Sequence, residues 1–510
     1  MSAAAPRVVI VGAGLAGLTA GCVLARRGIA VEIVERNAFT GGYNSCLARD
    51  GYRFDIGATM LHTPEILHET LAAIGAPSDA LRIQPLDPLY RVRFHDGRTL
   101  DLLPSVEGTA ERIAAFSPSD ARAFRRYVAD VDAVRSSLRR LLMEHDSTAL
   151  ALRPYDALRV LGRLRPHRSV ASLMHDYFAS DEVRKAMTFQ TLYFGASPEH
   201  VSALHAMVPY FEVTRGVWHV EGGMHEISRT LTETFLAHGG ELRTEAEVAR
   251  ILVHGERAAG VELMGGERLE AAAVLAAANA VHACLDLLPP HALPARARRR
   301  VARLTRSCSA QLTLLGVDAA DLAPDLVHHT FILPGDLTRH CHDLFDRGRM
   351  STQTSVYVSV PSVNDPAVAP PGRAAVYALV LAPHAASAEP WAERRDELGE
   401  RVVADLRAHG VLRGNRPVQV REVLVPSDLA ARFNQPGGMG FGIAPTFRQT
   451  GPLRPGARSR HIAALYFAGA STNPGCGVPM VLTSGRTAAD AIVADLDGAT
   501  RERRARVLSG

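Results

Sequence analysis

The residues with the clearest chemistry lie near the start of the chain. Gly12-Ala-Gly14-Leu15-Ala16-Gly17 follows the apolar run Arg7-Val-Val-Ile-Val11, and Glu35 ends the next apolar run, Ala30-Val-Glu-Ile-Val-Glu35. This spacing suits dinucleotide recognition. Gly12 permits a tight turn, Gly14 lets backbone approach a pyrophosphate, and Gly17 lets helix and strand pack closely, with the helix N-terminus facing the phosphate charge. Glu35 stands where a carboxylate accepts hydrogen bonds from ribose hydroxyls, and its charge disfavours a 2′-phosphate, so NADP is not expected here. Far downstream comes a second glycine-rich strand-turn-helix pattern, Leu465-Tyr-Phe-Ala-Gly469-Ala470-Ser-Thr-Asn-Pro-Gly-Cys-Gly477-Val478-Pro479-Met480, followed by helical sequence from Val481 to Leu496. A nicotinamide dehydrogenase would have finished with its cofactor long before this point. One large cofactor gripped from both ends of the chain, FAD, is predicted.

These residues need a frame of buried strands and a helix. The two apolar runs read as parallel strands, and Leu15 to about Arg27 as the helix between them, ended by Gly28. The next segment holds Gly41, Gly42 and Tyr43, a hairpin turn at Asp50-Gly51, and a close-approach glycine in Gly57-Ala58-Thr59, all backbone openings suited to a long flavin. From about Glu65 to Ser197 the sequence reads as largely helical and arginine-rich, including Arg122, Arg125, Arg126, Arg135, Arg139, Arg140, Arg153, Arg159, Arg163, Arg165 and Arg168. These arginines form either solvated helix faces or a basic surface for anionic lipid. A helix from His225 to about His238 returns the chain to sheet, with strands expected within 241–253, 258–263 and 274–278, and Val248 as a backbone contact for adenine. Beyond them, strands 311–317 and 375–381 mix with a helix from Trp391 to His409.

No internal repeat or low-complexity linker separates these parts, so interleaved domains are expected. The predicted class is α/β: a Rossmann-like FAD-binding domain from residues 1–75, 220–290 and 455–510, a helical, membrane-associating and substrate region over 76–219, and an α+β substrate domain over 291–454.

Composition narrows the function classes. The 510 residues are 47% hydrophobic and 22% charged with a formal net charge of +4, as in an ordinary globular enzyme. Lys185 is the only lysine, and no basic tail or RNA-type motif accompanies the arginines, so nucleic acid is not an expected partner. Cys22, Cys46, Cys284, Cys308, Cys341 and Cys476 form no Cys-x-x-Cys pair, which argues against a disulfide framework or zinc ribbon and fits a reducing cytoplasm. His340-Cys-His342 lacks a second ligand pair, so no metal is expected. The first residues run directly into a strand that the cofactor site needs, which argues against a removable signal peptide. The most apolar stretch, 271–288, is broken by Asn279, His282 and Asp286 and is not a membrane span. The expected location is cytoplasmic, peripherally on the inner face of the membrane.

Nearly the whole chain resembles the phytoene desaturase family of FAD-dependent carotenoid oxidoreductases, which shares its cofactor fold with amine oxidases. The resemblance rests on the Gly12-to-Glu35 fingerprint, Phe54-Asp-Ile-Gly-Ala-Thr59, Leu192-Tyr-Phe-Gly-Ala-Ser-Pro198, Gly216-Val-Trp with Gly222-Gly-Met224, and above all Gly469 to Pro479. Ser307-Cys-Ser309 and His328-His-Thr330 are also family-like. The resemblance implies FAD contacts from Gly12, Gly14, Gly17, Glu35, Gly42, Val248, Gly469 and Val478-Pro479-Met480, with Leu15, Ala16, Arg36, Gly41, Tyr43, Gly57, Ala58, Thr59, Ala470 and Gly477 beside them. It also implies a long apolar polyene drawn from a membrane. The chain departs from the family pattern at Tyr43, where Gly-Gly-Arg is common, so that a pyrophosphate-side arginine is either missing or supplied by Arg36, at Asn473, where histidine is frequent, and at Glu221.

Desaturation removes two hydrogens, one as hydride to flavin N5 and one as a proton, so geometry matters more than a strong base. His62, His225, His328 and His329 are candidates by family-like location, and no catalytic residue is assigned. Cys476 reads as a small side chain that clears the isoalloxazine. Isomerisation, saturation or oxygenation of a polyene on the same scaffold is the alternative, and a nonenzymatic lipid-binding flavoprotein a third.

Overall fold

The computed structural model describes residues 6–143 and 154–509; Arg153, named above, lies outside them. Five short parallel strands form the sheet that carries the glycine turn, in the order Glu241–Arg243, Ala30–Val34, Arg7–Val11, Ala273–Ala276, Leu465–Phe467. Alternation along the central strand explains its place. Val8 and Ile10 join a core with helices Leu15–Arg26, His225–Ala237 and Val478–Ser509, while Val9 and Val11 face the opposite core. That second face is covered by an antiparallel sheet of Val248–His254, Arg257–Leu263 and Arg268–Glu270. A strand buried on both faces reads as a continuous apolar run, which is why this sheet was visible in the sequence.

A second, seven-stranded sheet runs Val420–Leu424, Ser309–Asp318, Arg373–Ala382, Val356–Ser359, His329–Ile332, Tyr90–Arg93, Thr99–Leu102. All pairs are antiparallel except His329–Ile332 with Tyr90–Arg93. The last two strands fall inside the stretch read as largely helical. Their signal is a period of two, with Tyr90 and Val92 facing Leu100 and Leu102 in the core while Arg91 pairs with Asp101 across the strands at 2.7 Å. Helices follow from Val106 to Arg215 and pack beneath them in one large core. A small sheet of Leu61–His62, Val217–Val220 and Ile83–Pro85 ties these helices to the parallel-sheet side.

Candidate cofactor and substrate site

One cavity of about 1220 Å³ lies where the two large sheets meet. Every residue singled out for FAD lines it except Gly17. Gly17 acts in packing instead, because a Cβ there would stand 2.1 Å from the Gly12 carbonyl oxygen. The residues that do line the cavity come from opposite ends of the chain: Gly12, Gly14, Leu15, Ala16, Glu35, Arg36, Gly41, Gly42, Tyr43, Gly57, Ala58 and Thr59, then Val248, then Gly469, Ala470, Gly477, Val478, Pro479 and Met480.

The backbone at this end is shaped for a large anionic group. A Cβ on Gly14 or Gly477 would meet no protein atom within 4 Å, so the open side of each faces the cavity. Leu15 opens one helix there, and Val478 opens another whose first internal bond, Val481 N–H to the Gly477 oxygen at 2.9 Å, leaves the Val478 and Met480 N–H groups without helical partners. Glu35 is buried and already accepts from the Ala13 N–H at 2.8 Å and from the Asn37 N–H and side-chain amide at 2.9 Å. A carboxylate has about four lone-pair positions, so these three bonds leave Glu35, which lines the cavity, capacity for one more. Arg36 donates to the Ala431 oxygen at 2.9 Å while bordering the cavity, and Tyr43 packs on Phe433 with its hydroxyl on the Met439 oxygen.

Arg454 has no counterpart in the sequence reading. Only 4% exposed, it donates to the carbonyls of Ile443, Gln449, Ala470 and Thr472, and among the described residues no carboxylate lies within 4.0 Å of it. Burial lowers its pKa to about 10, which leaves it cationic at neutral pH. The cavity therefore has a positive wall built from a guanidinium and two helix N-termini. Cys476 beside it is kept a thiol, because burial pushes its pKa up to about 11.

Further along, the cavity wall turns aromatic, with Phe189, Tyr193, Phe211, Phe331, Tyr357 and Phe441. Its floor is the seven-stranded sheet. Tyr357 bonds Thr59 and, at 2.9 Å, His329 Nδ1, and the Tyr377 hydroxyl donates to the Gly57 oxygen at 3.3 Å. Behind them the rings of His219, His328 and His329 pack at a tilt within the protein, and burial is the largest cause of the depressed pKa of His328, about 3, and of the well-lowered one of His329. Of the four candidate histidines, only His62 lines the cavity; its Nε2 lies 3.1 Å from Glu212. His225 lies apart beside Asp55 and Glu226; burial lowers its pKa, but the interactions of its ring with the acceptors Asp55 and Cys46 together outweigh this and raise it to about 10.

The cavity reaches the surface between helices Pro64–Ile74, Arg135–Met143 and Val478–Ser509, where Glu69 lies 3.8 Å from Arg139 and 3.9 Å from Arg486. Beside this rim, helix Pro154–Leu164 packs on Arg135–Met143. Val160 and Leu164 are buried, yet Tyr155, Leu158 and Leu161 are exposed by 69%, 66% and 46%. The arginines of this region are mostly matched by carboxylates: Arg125 by Glu107, Arg140 by Asp156, Arg163 by Asp130, and Arg165 and Arg168 by Asp176. No helix among the described residues is long and apolar enough to cross a membrane.

A glycine turn and a closing helix that meet at one positive-walled cavity, with an aromatic arm leading to the surface, define an FAD-binding oxidoreductase. Residues 15–493 match the model of the flavin containing amine oxidoreductases, and the chain belongs to that family. Its cofactor is FAD. The chain is 33% identical over 487 residues to a zeta-carotene-forming phytoene desaturase of Myxococcus xanthus, covering 94% of this chain and 92% of that one. It is 30% identical over 505 residues to a 4,4'-diapolycopene oxygenase of Methylomonas, covering 96% and 98%. Among solved structures, an oxidoreductase of Methanosarcina mazei shares the fold with a TM-score of 0.65 at 19% identity, covering 94% of this chain and 99% of that one.

Proposed function

We propose that this FAD-dependent oxidoreductase desaturates a long carotenoid-type isoprenoid taken from a lipid surface. The observation that carries the reading is one continuous cavity, whose glycine and helix-terminus wall passes without a break into an aromatic arm open at the surface. Carotenoid desaturases among the relatives support the substrate class. The residues named from the sequence hold the cofactor in this reading: Gly14 and Gly477 admit it, the Val478 and Met480 N–H groups and Arg454 face its negative charge, Glu35 holds a ribose, and Val248 borders adenine. Bound FAD supplies a two-electron acceptor for hydride. The aromatic arm holds the polyene straight and excludes water from the reacting carbons.

Lipid attachment is assigned to the exposed face of Tyr155, Leu158 and Leu161, because it adjoins the mouth and an exposed apolar patch marks a contact surface. Moving hydrocarbon from lipid into an apolar tunnel gains little free energy, so selectivity falls to the shape of the arm. The oxygenase relative supports a second reading, oxygen insertion in the same cavity. Feeding the purified flavoprotein C30 and C40 polyenes in vesicles and weighing the products separates the two. Products lacking hydrogen pairs support desaturation; added oxygen overturns it in favour of the second reading, and unchanged mass with an altered spectrum means isomerisation.

A further inference from the structure

Glu212 is wholly buried in helix Met207–Arg215, whose Pro209, Tyr210 and Val213 are also core residues. Its carboxylate accepts a hydrogen bond from the Tyr90 hydroxyl at 2.6 Å on Oε2, and its Oε1 lies 3.1 Å from His62 Nε2. Tyr90 in turn accepts from the Gln190 amide at 3.0 Å. Among the described residues no arginine or lysine lies within 4.0 Å of Glu212. A buried carboxylate without a permanent cation is costly, and here the Tyr90 hydroxyl and the His62 imidazole are its polar partners. The His62 side chain is 26% exposed and lines the cavity, and with Nε2 turned to Glu212, its Nδ1 is neither buried without a partner nor bonded to any described residue. Ionisable groups acting on the pair include Tyr90, Tyr127, Tyr193 and His329, and Glu65 and Arg215, paired with each other at 3.4 Å, line the same cavity. Burial, more than any other cause, raises the pKa of each tyrosine and lowers that of His329, so all four are neutral at pH 7.

We infer that His62 accepts the proton lost in the reaction and that Glu212, held by Tyr90, is the positioning residue that stabilises the resulting imidazolium. This rests on the desaturation reading. With FAD bound, one C–H bond of the substrate would give up its electron pair as hydride, the cofactor supplying the two-electron acceptor. The neighbouring C–H bond then breaks, its electrons become the new double bond, and its proton goes to His62 Nδ1, while Nε2–H stays donated to Glu212. The pair is the histidine–carboxylate arrangement of a general base, in which the acid fixes the tautomer and a positioned base contributes roughly 10²- to 10⁴-fold to rate.

The test is anaerobic bleaching of the bound flavin by polyene vesicles across pH, in the unsubstituted protein, His62→Gln and Glu212→Gln, with flavin content checked first. The unsubstituted rate is expected to rise with pH through one inflection. His62→Gln lowers the plateau by about a hundredfold or more and removes the inflection. Glu212→Gln keeps the inflection but moves it to lower pH, a shift that a purely structural role would not produce. A readout free of turnover is the ¹⁵N titration of the His62 ring in the oxidised holoprotein, which Glu212→Gln displaces in the same direction; it still tests the pair if His62→Gln does not fold. Normal bleaching with an unchanged pH profile in His62→Gln, or a His62 titration indifferent to Glu212→Gln, overturns the proton assignment alone. Failure of every polyene to bleach the unsubstituted protein overturns the desaturation reading, and the proton assignment with it.

Discussion

The two ends of the cavity are built from different materials. At the cofactor end the shaping groups are backbone: glycines without Cβ atoms, N–H groups of two helix starts, and carbonyls that grip Arg454. At the substrate end they are side chains brought together from distant segments, such as His62 with Glu212 and Thr59 with Tyr357. Backbone can do the first task because a pyrophosphate and a ribose are small, charged and fixed in shape. A polyene offers little beyond length and an apolar surface, so only packed side chains can select it.

The largest effect is expected where the cofactor end admits no side chain at all. In Gly17→Ala the new methyl would meet the Gly12 oxygen at 2.1 Å, and the Ala277 Cβ lies only 3.1 Å away. Overpacking typically costs about 1–3 kcal/mol, and a clash with backbone falls at or above the top of that range, a large part of the usual 5–15 kcal/mol of a domain. Loss of both soluble protein and bound flavin is expected. Gly14→Ala provides the contrast, since its methyl enters open cavity and its backbone is extended. It should keep the melting temperature of the flavin-free protein and lose flavin affinity. Equal thermal losses in the two variants would erase the distinction between a glycine that packs and one that makes room.

The same contrast explains what was legible in the sequence. The glycine turn, Glu35, and the closing segment could be read because a backbone-built site leaves its constraint in local spacing, and the parallel strands show as short apolar runs. Strands Tyr90–Arg93 and Thr99–Leu102 were hidden because four-residue alternation is weak beside the long amphipathic helices that follow. The His62–Glu212 pair was not legible as a pair, since 150 residues separate its members. Its one local trace is an acid within the otherwise apolar Met207-Val-Pro-Tyr-Phe-Glu-Val213. Arg454 sits between Leu453 and Pro455 with nothing in its neighbours to set it apart from the other arginines.

Acid should separate the two ends in stability. Burial depresses the pKa of His328 to about 3 and of His340 to about 4, and also lowers that of His329 well below its ordinary value, and all three lie on the substrate side. For a histidine lowered in this way, the unfolded chain takes up the proton first as pH falls below its ordinary 6.5. Stability is therefore complete above pH 6.5 and falls toward pH 3, by about 1.4 kcal/mol per pH unit for each such group. On the cofactor side His225 behaves oppositely. Its raised pKa, about 10, gives a contribution that is complete below pH 6.5 and is lost only as pH rises through 10. Hydrogen exchange at pH 5 should thus open the strands 329–332 and 356–359 before 7–11 and 273–276. Simultaneous opening would show that the two ends do not differ in this respect.

The smallest effect belongs to the surface beside the mouth. The arginines of the helical region are largely engaged with Glu107, Asp130, Asp156 and Asp176, and charges already paired add little attraction for anionic lipid. Apolar contact through Leu158, two thirds exposed, remains. Removing one leucine side chain from a lipid contact costs roughly 1.5–2 kcal/mol, about a ten- to thirtyfold loss of partition. Leu158→Ser should accordingly weaken sedimentation with neutral vesicles by about that factor while leaving flavin content and melting temperature unchanged, because the side chain contributes little to the core. Anionic and neutral vesicles should bind the unsubstituted protein within a few-fold of each other. A strong preference for anionic lipid, with Leu158→Ser unaffected, would return the attachment to the arginines and make the mouth, like the cofactor end, a site organised by charge.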